Sequence, residues 1–105
     1  MNILFVCSRN KWRSATAETI FHNHPFHQVK SAGTSAAARI KINGKLIDWA
    51  DLIFVMEKKH KQILAENFRE EMTEKEVIVL DIPDDYQYMD EELIAEIETK
   101  VGSYL

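Results

Sequence analysis

Cys7 and Arg13 stand six positions apart in the stretch Cys7-Ser8-Arg9-Asn10-Lys11-Trp12-Arg13-Ser14, and Cys7 is the only cysteine of the chain. The run Asn2-Ile3-Leu4-Phe5-Val6 before it is apolar, so the thiol falls where a strand ends and a helix begins. A loop folded between these residues aims its backbone N–H groups at one small volume in front of the helix. Such a nest, with the positive end of the helix dipole behind it, binds oxyanions and stabilises negative charge on sulfur. Arg13 adds a planar fork of donors that matches the oxygens of a phosphoryl group, which a lysine would meet only as a point charge. The residues expected to cradle that group are Ser8, Arg9, Asn10, Lys11, Trp12, Arg13 and Ser14. Together they suit attack by a thiolate on phosphorus, with the shifting charge held by Arg13 and the loop. The reaction also needs an acid to protonate the departing oxygen and, once deprotonated, to activate water. Asp81 and Asp84 are the candidates, and their position alone does not choose between them.

Strand and helix signals alternate along the chain in the order β-α-β, then β-α-β-α. Residues 2–6 read as a strand, 14–23 as a helix with Ala17, Ile20 and Phe21 at helical spacing, and 27–31 as a second strand ending in a Ser-Ala-Gly turn. A brief helix is expected around Leu46 to Trp49 and a third strand over 51–56. In the helix that follows, Met56, His60, Ile63, Leu64 and Phe68 are expected to share one face. Val77-Ile78-Val79-Leu80 is the fourth strand, and the last helix presents Leu93, Ile94, Ile97 and Val101. Near-continuous apolar strands joined by amphipathic helices predict an α/β fold, a small parallel four-stranded sheet with helices on both faces and right-handed crossovers. Ligands of such sheets bind past the carboxyl ends of the strands, where strand order reverses. Cys7 and Asp84 both lie just past such ends, so residues seventy-seven positions apart are expected to face one crevice.

A chain of 105 residues with 46% hydrophobic content supports one domain over 1–105. Its net charge is −4, unevenly placed: residues 1–50 hold seven Lys or Arg against two Asp or Glu, and residues 51–105 hold six against fifteen. That acidic half argues against a nucleic-acid surface, so Arg9, Lys11 and Arg13 read as a local anion site. No run is long or apolar enough to cross a bilayer and no leader precedes the first strand, so the expectation is a cytoplasmic protein without a membrane partner. One cysteine forms no internal disulfide and no cysteine-rich zinc site. His22, His24, His27 and His60 show no ligand spacing and read as structural or exposed; neither a metal nor a cofactor is expected.

In this loop the chain resembles the low-molecular-weight protein tyrosine phosphatases, which carry Cys, five residues, Arg and Ser close to the N-terminus. Ser31-Ala32-Gly33-Thr34, the segment Asp51 to Glu57, and Pro83-Asp84-Asp85-Tyr86 follow in the family's order, so the resemblance spans most of the chain. It implies the flavodoxin-like, phosphotyrosine phosphatase I type of fold and hydrolysis through a phosphocysteine on Cys7, with Arg13 binding phosphate. It also assigns the general acid to Asp84, because the family's acid is an aspartate followed by Pro and an aromatic residue; here Asp85 stands in place of that Pro. Trp12 and Tyr86 are expected to form a rim for the substrate ring, and Asn10, Ser14 and Ser31 to support the loop, with Gly33 allowing a close backbone approach. The partners so implied are a phosphotyrosine protein or a small phosphomonoester, with phosphate or sulfate bound in the loop.

The chain also departs from the pattern. Arg9 replaces a Gly, Trp12 a common second cysteine and Ala15 a frequent Pro, and the stretch from Thr34 to Asp51 is trimmed. Three other readings share features of the loop: a non-catalytic phosphoryl-binding module, a phosphocysteine carrier of a sugar phosphotransferase system, and an arsenate reductase-like protein. The carrier generally lacks the arginine at the sixth position, and the reductase relays oxidation through further cysteines, of which there are none.

Overall fold

A computed structural model describes all residues from 1 to 105. Four strands, β1 (Asn2–Cys7), β2 (Gln28–Gly33), β3 (Leu52–Val55) and β4 (Glu76–Val79), form one sheet in the order β2-β1-β3-β4, with every pair parallel. The helices are α1 (Arg13–Phe21), α2 (Gly44–Trp49), α3 (Lys58–Asn67), the short α4 (Arg69–Met72) and α5 (Glu91–Val101), followed by a single 3-10 turn over Gly102–Tyr104. Strand order reverses between β1 and β3: the chain first moves outward to β2, then crosses back to β3 on the other side of β1. Cys7 ends β1 beside that reversal, where parallel sheets open a crevice.

The strand period of two divides the apolar residues between two cores. Ile3, Phe5 and Cys7 with Leu52, Phe54 and Met56 face α1 and α5, where Ala17, Leu93, Ile97 and Val101 complete the layer. Leu4 and Val6 with Ile53 and Val55 face the opposite side and meet Ile47 of α2 and Leu64 of α3. Phe5 is fully buried between Phe54 and Phe21, with ring centroids 5.3 and 5.9 Å away in offset stacks. The strand carrying the cysteine is thus clamped on both faces, and its end cannot drift.

Two expectations need correction, and one short helix is additional. Ser31, Ala32 and Gly33 do not form a turn after β2; they are its last residues, because pairing with β1 continues as far as Cys7 opposite Gly33. Met56 does not share a face with Leu64 and Phe68: it precedes α3 and fills the α1–α5 core, whereas those two pack on the other side of the sheet. The short helix α4 was not signalled, since Phe68 interrupts the pattern with a non-helical backbone between α3 and α4.

Candidate active site

The loop between β1 and α1 is turned inside out by its neighbours. The backbone carbonyls of Cys7, Ser8 and Arg9 accept from the N–H groups of Thr34, Ser35 and Arg39 at 3.0, 2.8 and 2.9 Å, and the Asn10 carbonyl accepts from Arg39 Nε at 3.1 Å. With its carbonyls drawn outward, the loop presents its amides inward. The N–H groups of Ser8, Arg9, Lys11, Trp12, Arg13 and Ser14 donate to no acceptor within the protein, and that of Asn10 donates to Cys7 Sγ at 3.2 Å. Uncommitted amides around one sulfur, at the uncapped start of α1, form an anion hole. The segment lies close: a Cβ on Gly33 would stand 2.5 Å from the Ser8 carbonyl oxygen and 2.9 Å from the Asn10 nitrogen, so only glycine fits.

Asn10 makes the turn with a left-handed backbone, φ 56°, which Asn adopts more readily than most residues. Its buried amide donates to Ser14 Oγ at 2.7 Å and to Ser31 Oγ at 2.8 Å, and Ser31 donates to Glu18 Oε1. Ser14 Oγ accepts from Asn10, and its one proton has two acceptors in reach, Cys7 Sγ at 3.0 Å and the Ala32 carbonyl at 3.4 Å, of which a charged sulfur is the nearer and the stronger. Asn10 Oδ1 is the one buried side-chain polar atom without a partner, left so because both amide protons are engaged on the loop side. Asn10, Ser14 and Ser31 are therefore loop supports. The side chains of Asn10 and Ser14 do not line the cup; of these two residues it is the backbone that faces it, the Ser14 N–H uncommitted and the Asn10 N–H on the sulfur.

The cup's wall consists of Cys7, Ser8, Arg9, Lys11, Trp12, Arg13 and Asp84, around a space of about 150 Å³. Arg13 is 1% exposed, and one NH2 group, Nη1, donates to Glu57 Oε2 and to the Ile82 carbonyl, both at 2.8 Å. The guanidinium plane is thereby fixed, while Nε and the second NH2 group form no hydrogen bond within the protein; Nε stands 3.6 Å from Asp84 Oδ1. A fork of two donors is left for a bound oxyanion. Burial acts to raise the pKa of Glu57, but the hydrogen bond and charge of Arg13 outweigh it and hold the carboxyl below its ordinary range.

His60 is fully buried in α3 and extends the scaffold. Its Nδ1 accepts from the Glu57 N–H at 3.0 Å, which assigns the ring proton to Nε2, 2.9 Å from Ser8 Oγ. The Ser8 hydroxyl accepts that bond and keeps its own proton for a ligand. Burial first, and then the charge of Arg13, lowers the His60 pKa from 6.5 to about 4. Between those values the unfolded chain binds a proton that the folded chain refuses. Stability present above pH 6.5 is therefore lost as pH falls towards 4, by about 1.4 kcal/mol per unit and about 3 kcal/mol across the window. His60→Asn is expected to flatten this slope, read from urea midpoints across the same range; equal slopes in both proteins would remove the assignment of a neutral, buried imidazole.

The two aspartates part company here. Asp84 lines the cup, whereas Asp81, also at positive φ (55°), lies with Glu57, Lys58, Lys59 and Pro83 in a separate surface hollow. Trp12 stands at the cup's edge, 39% exposed, where a rim residue belongs. Tyr86 does not. Its ring packs on the α1–α5 core beside Glu92 and Glu96, because α5 offers an apolar stripe to cover, and burial followed by the nearby carboxylates pushes its pKa up. Glu57, His60 and Arg39 carry roles that sequence reasoning did not assign. A buried arginine demands an acid, and Glu57, just past the end of β3, was the one at the right level; Glu57 and His60 also have the spacing of a reciprocal helix cap, which the structure forms.

No family model matches the sequence, and no curated protein does. Solved structures match over nearly its whole length. The YwlE arginine phosphatase from Geobacillus stearothermophilus is 26% identical with a TM-score of 0.77, covering 98% of this chain and 89% of that one. The tyrosine phosphatase Wzb from Escherichia coli K30, in complex with phosphate, is 22% identical with a TM-score of 0.79, covering 98% and 94%. Vibrio vulnificus Wzb, in complex with benzylphosphonate, is 23% identical with a TM-score of 0.77, covering 98% and 95%.

Proposed function

We propose that this chain, a member of the low-molecular-weight protein tyrosine phosphatase family in fold and loop sequence, is a cysteine-dependent phosphatase that hydrolyses phosphotyrosine through a phosphocysteine on Cys7. The observation that carries the reading is the cup itself, in which a sulfur, a ring of uncommitted amides, a half-free guanidinium and one carboxyl converge.

In the first half-reaction the Cys7 thiolate attacks phosphorus as the bond from phosphorus to the tyrosine oxygen breaks, and Asp84 gives its proton to that oxygen. The loop amides and the free donors of Arg13 hold the equatorial oxygens while charge moves through them. In the second, Asp84 takes a proton from water as the water oxygen attacks phosphorus, releasing phosphate and restoring the thiolate. Ser14 and the Asn10 N–H stabilise the sulfur as a leaving group. Trp12 offers a flat wall to an aromatic leaving group. The cations Arg9 and Lys11 on the same wall oppose a guanidinium, which favours phosphotyrosine over phosphoarginine as substrate.

Asp84→Asn tests the assignment of the acid. It is expected to slow a phosphotyrosine peptide by about 10²-fold to 10⁴-fold while slowing p-nitrophenyl phosphate, whose leaving group needs little protonation, much less at the phosphorylation step. Asp81→Asn should leave both rates near those of the parent. The reverse pattern reassigns the acid to Asp81.

A further inference from the structure

Where the cup's rim ends, a larger groove of about 700 Å³ begins, and Lys11 lines both. The outer side of α1 forms its floor, and Arg39 and Tyr88 form its walls. Hydrolysis as described makes no use of it, yet it is a built surface. Thr19 Oγ1 donates to the Ala15 carbonyl and accepts from the Tyr88 hydroxyl at 2.7 Å, and the Met89 N–H donates to Thr16 Oγ1 at 2.9 Å, so the segment bearing Tyr88 is tied to α1. On the other wall Arg39 is fixed by its Nε on the Asn10 carbonyl, with its Nη2 3.9 Å from Glu18. Glu18, the only acid of the groove, is already engaged by Ser31 and Arg39. Lys11 pairs with no carboxylate.

We infer that this groove receives the polypeptide flanking the phosphotyrosine, and that Lys11 and Arg39 select an acidic residue in it. The inference rests on the phosphatase reading and adds the substrate class: phosphotyrosine in an acidic sequence. Continuity through Lys11 joins the groove to the cup, so a chain leaving the cup enters it within its first residues. Its charge is complementary to a carboxylate, because one cation stands unpaired at the junction and a second is held on the wall.

Three phosphotyrosine peptides with Glu, Gln or Lys flanks, compared with p-nitrophenyl phosphate, test the proposal. The Glu peptide is expected to exceed the Lys peptide in kcat/KM by roughly threefold to tenfold, as for a few solvent-exposed charge contacts, and added salt should shrink the difference. Asn23→Glu, which places a carboxylate on the floor of the groove, should narrow or reverse the preference with p-nitrophenyl phosphate unaffected. Equal kcat/KM for all three peptides, with p-nitrophenyl phosphate still cleaved, overturns the groove and spares the phosphatase. No cleavage of p-nitrophenyl phosphate overturns the phosphatase, and titration of the same peptides then decides the groove, equal affinities refuting it and tighter binding of the Glu peptide upholding it.

Discussion

Cys7→Ser is expected to lower turnover of p-nitrophenyl phosphate on the order of 10⁴-fold or more, as removal of a covalent nucleophile does, while phosphate still binds. Both halves of this result follow from separate features. The sulfur alone supplies the bond-forming electron pair, and a serine hydroxyl in its place has no base beside it, since its neighbours are Ser14 Oγ and the Asn10 N–H. The oxyanion is held by the other features: the loop amides, turned inward by the segment from Thr34 to Arg39, and the free donors of Arg13. Phosphate affinity within a few-fold of the parent, measured by titration, is the expected companion of the lost activity. A non-catalytic phosphoryl-binding module predicts instead that parent and variant are equally inert.

Arg13→Lys is expected to reduce kcat/KM on the order of 10³-fold, because the charge survives and the fork does not. A lysine reaches Glu57 or a phosphoryl oxygen, but it cannot hold Glu57 and the Ile82 carbonyl on one side and two ligand oxygens on the other, as the buried guanidinium is placed to do. Stability should fall as well, by about 1–3 kcal/mol for the acceptor left unpaired, and Arg13→Ala should cost more, because it adds a cavity in place of a buried side chain and leaves Glu57 with only the exposed Lys59 as an ion-pair partner. Urea denaturation beside steady-state kinetics separates the two effects. A lysine variant that is stable and nearly as active as the parent would contradict a role for the planar fork.

The local part of the site was legible because it is local. The apolar run before Cys7, the six-position spacing to Arg13 and the serine after it define a strand, a nest and a helix start within fourteen residues, and the structure places them so. The alternation Ile3, Phe5, Cys7 against Leu4, Val6 likewise settled a strand buried on both faces. What escaped depends on contacts distant in sequence. Nothing near Arg13 signals that Glu57 and Ile82 hold its plane, or that Arg39 draws the Asn10 carbonyl outward. The family pattern, with an aromatic residue after the acid, puts Tyr86 at the rim, but the demand of α5 for an apolar cover turns its ring away. His60 carries no local signal of its role. Its burial and its place between Glu57 and Ser8 arise only when α3 packs beneath the loop.

The central claim is that the Cys7 sulfur carries the phosphoryl group during turnover. Mixing enzyme with excess p-nitrophenyl phosphate, quenching under denaturing conditions within a single turnover, and mapping the added phosphoryl mass by fragmentation tests it most directly. The predicted result is a phosphoryl group on Cys7 of the parent and of Asp84→Asn, in which its hydrolysis is slowed, and no sustained release of phosphate by Cys7→Ser. Sustained hydrolysis by Cys7→Ser, or a phosphoryl group mapped to another residue of a turning-over enzyme, would contradict the account.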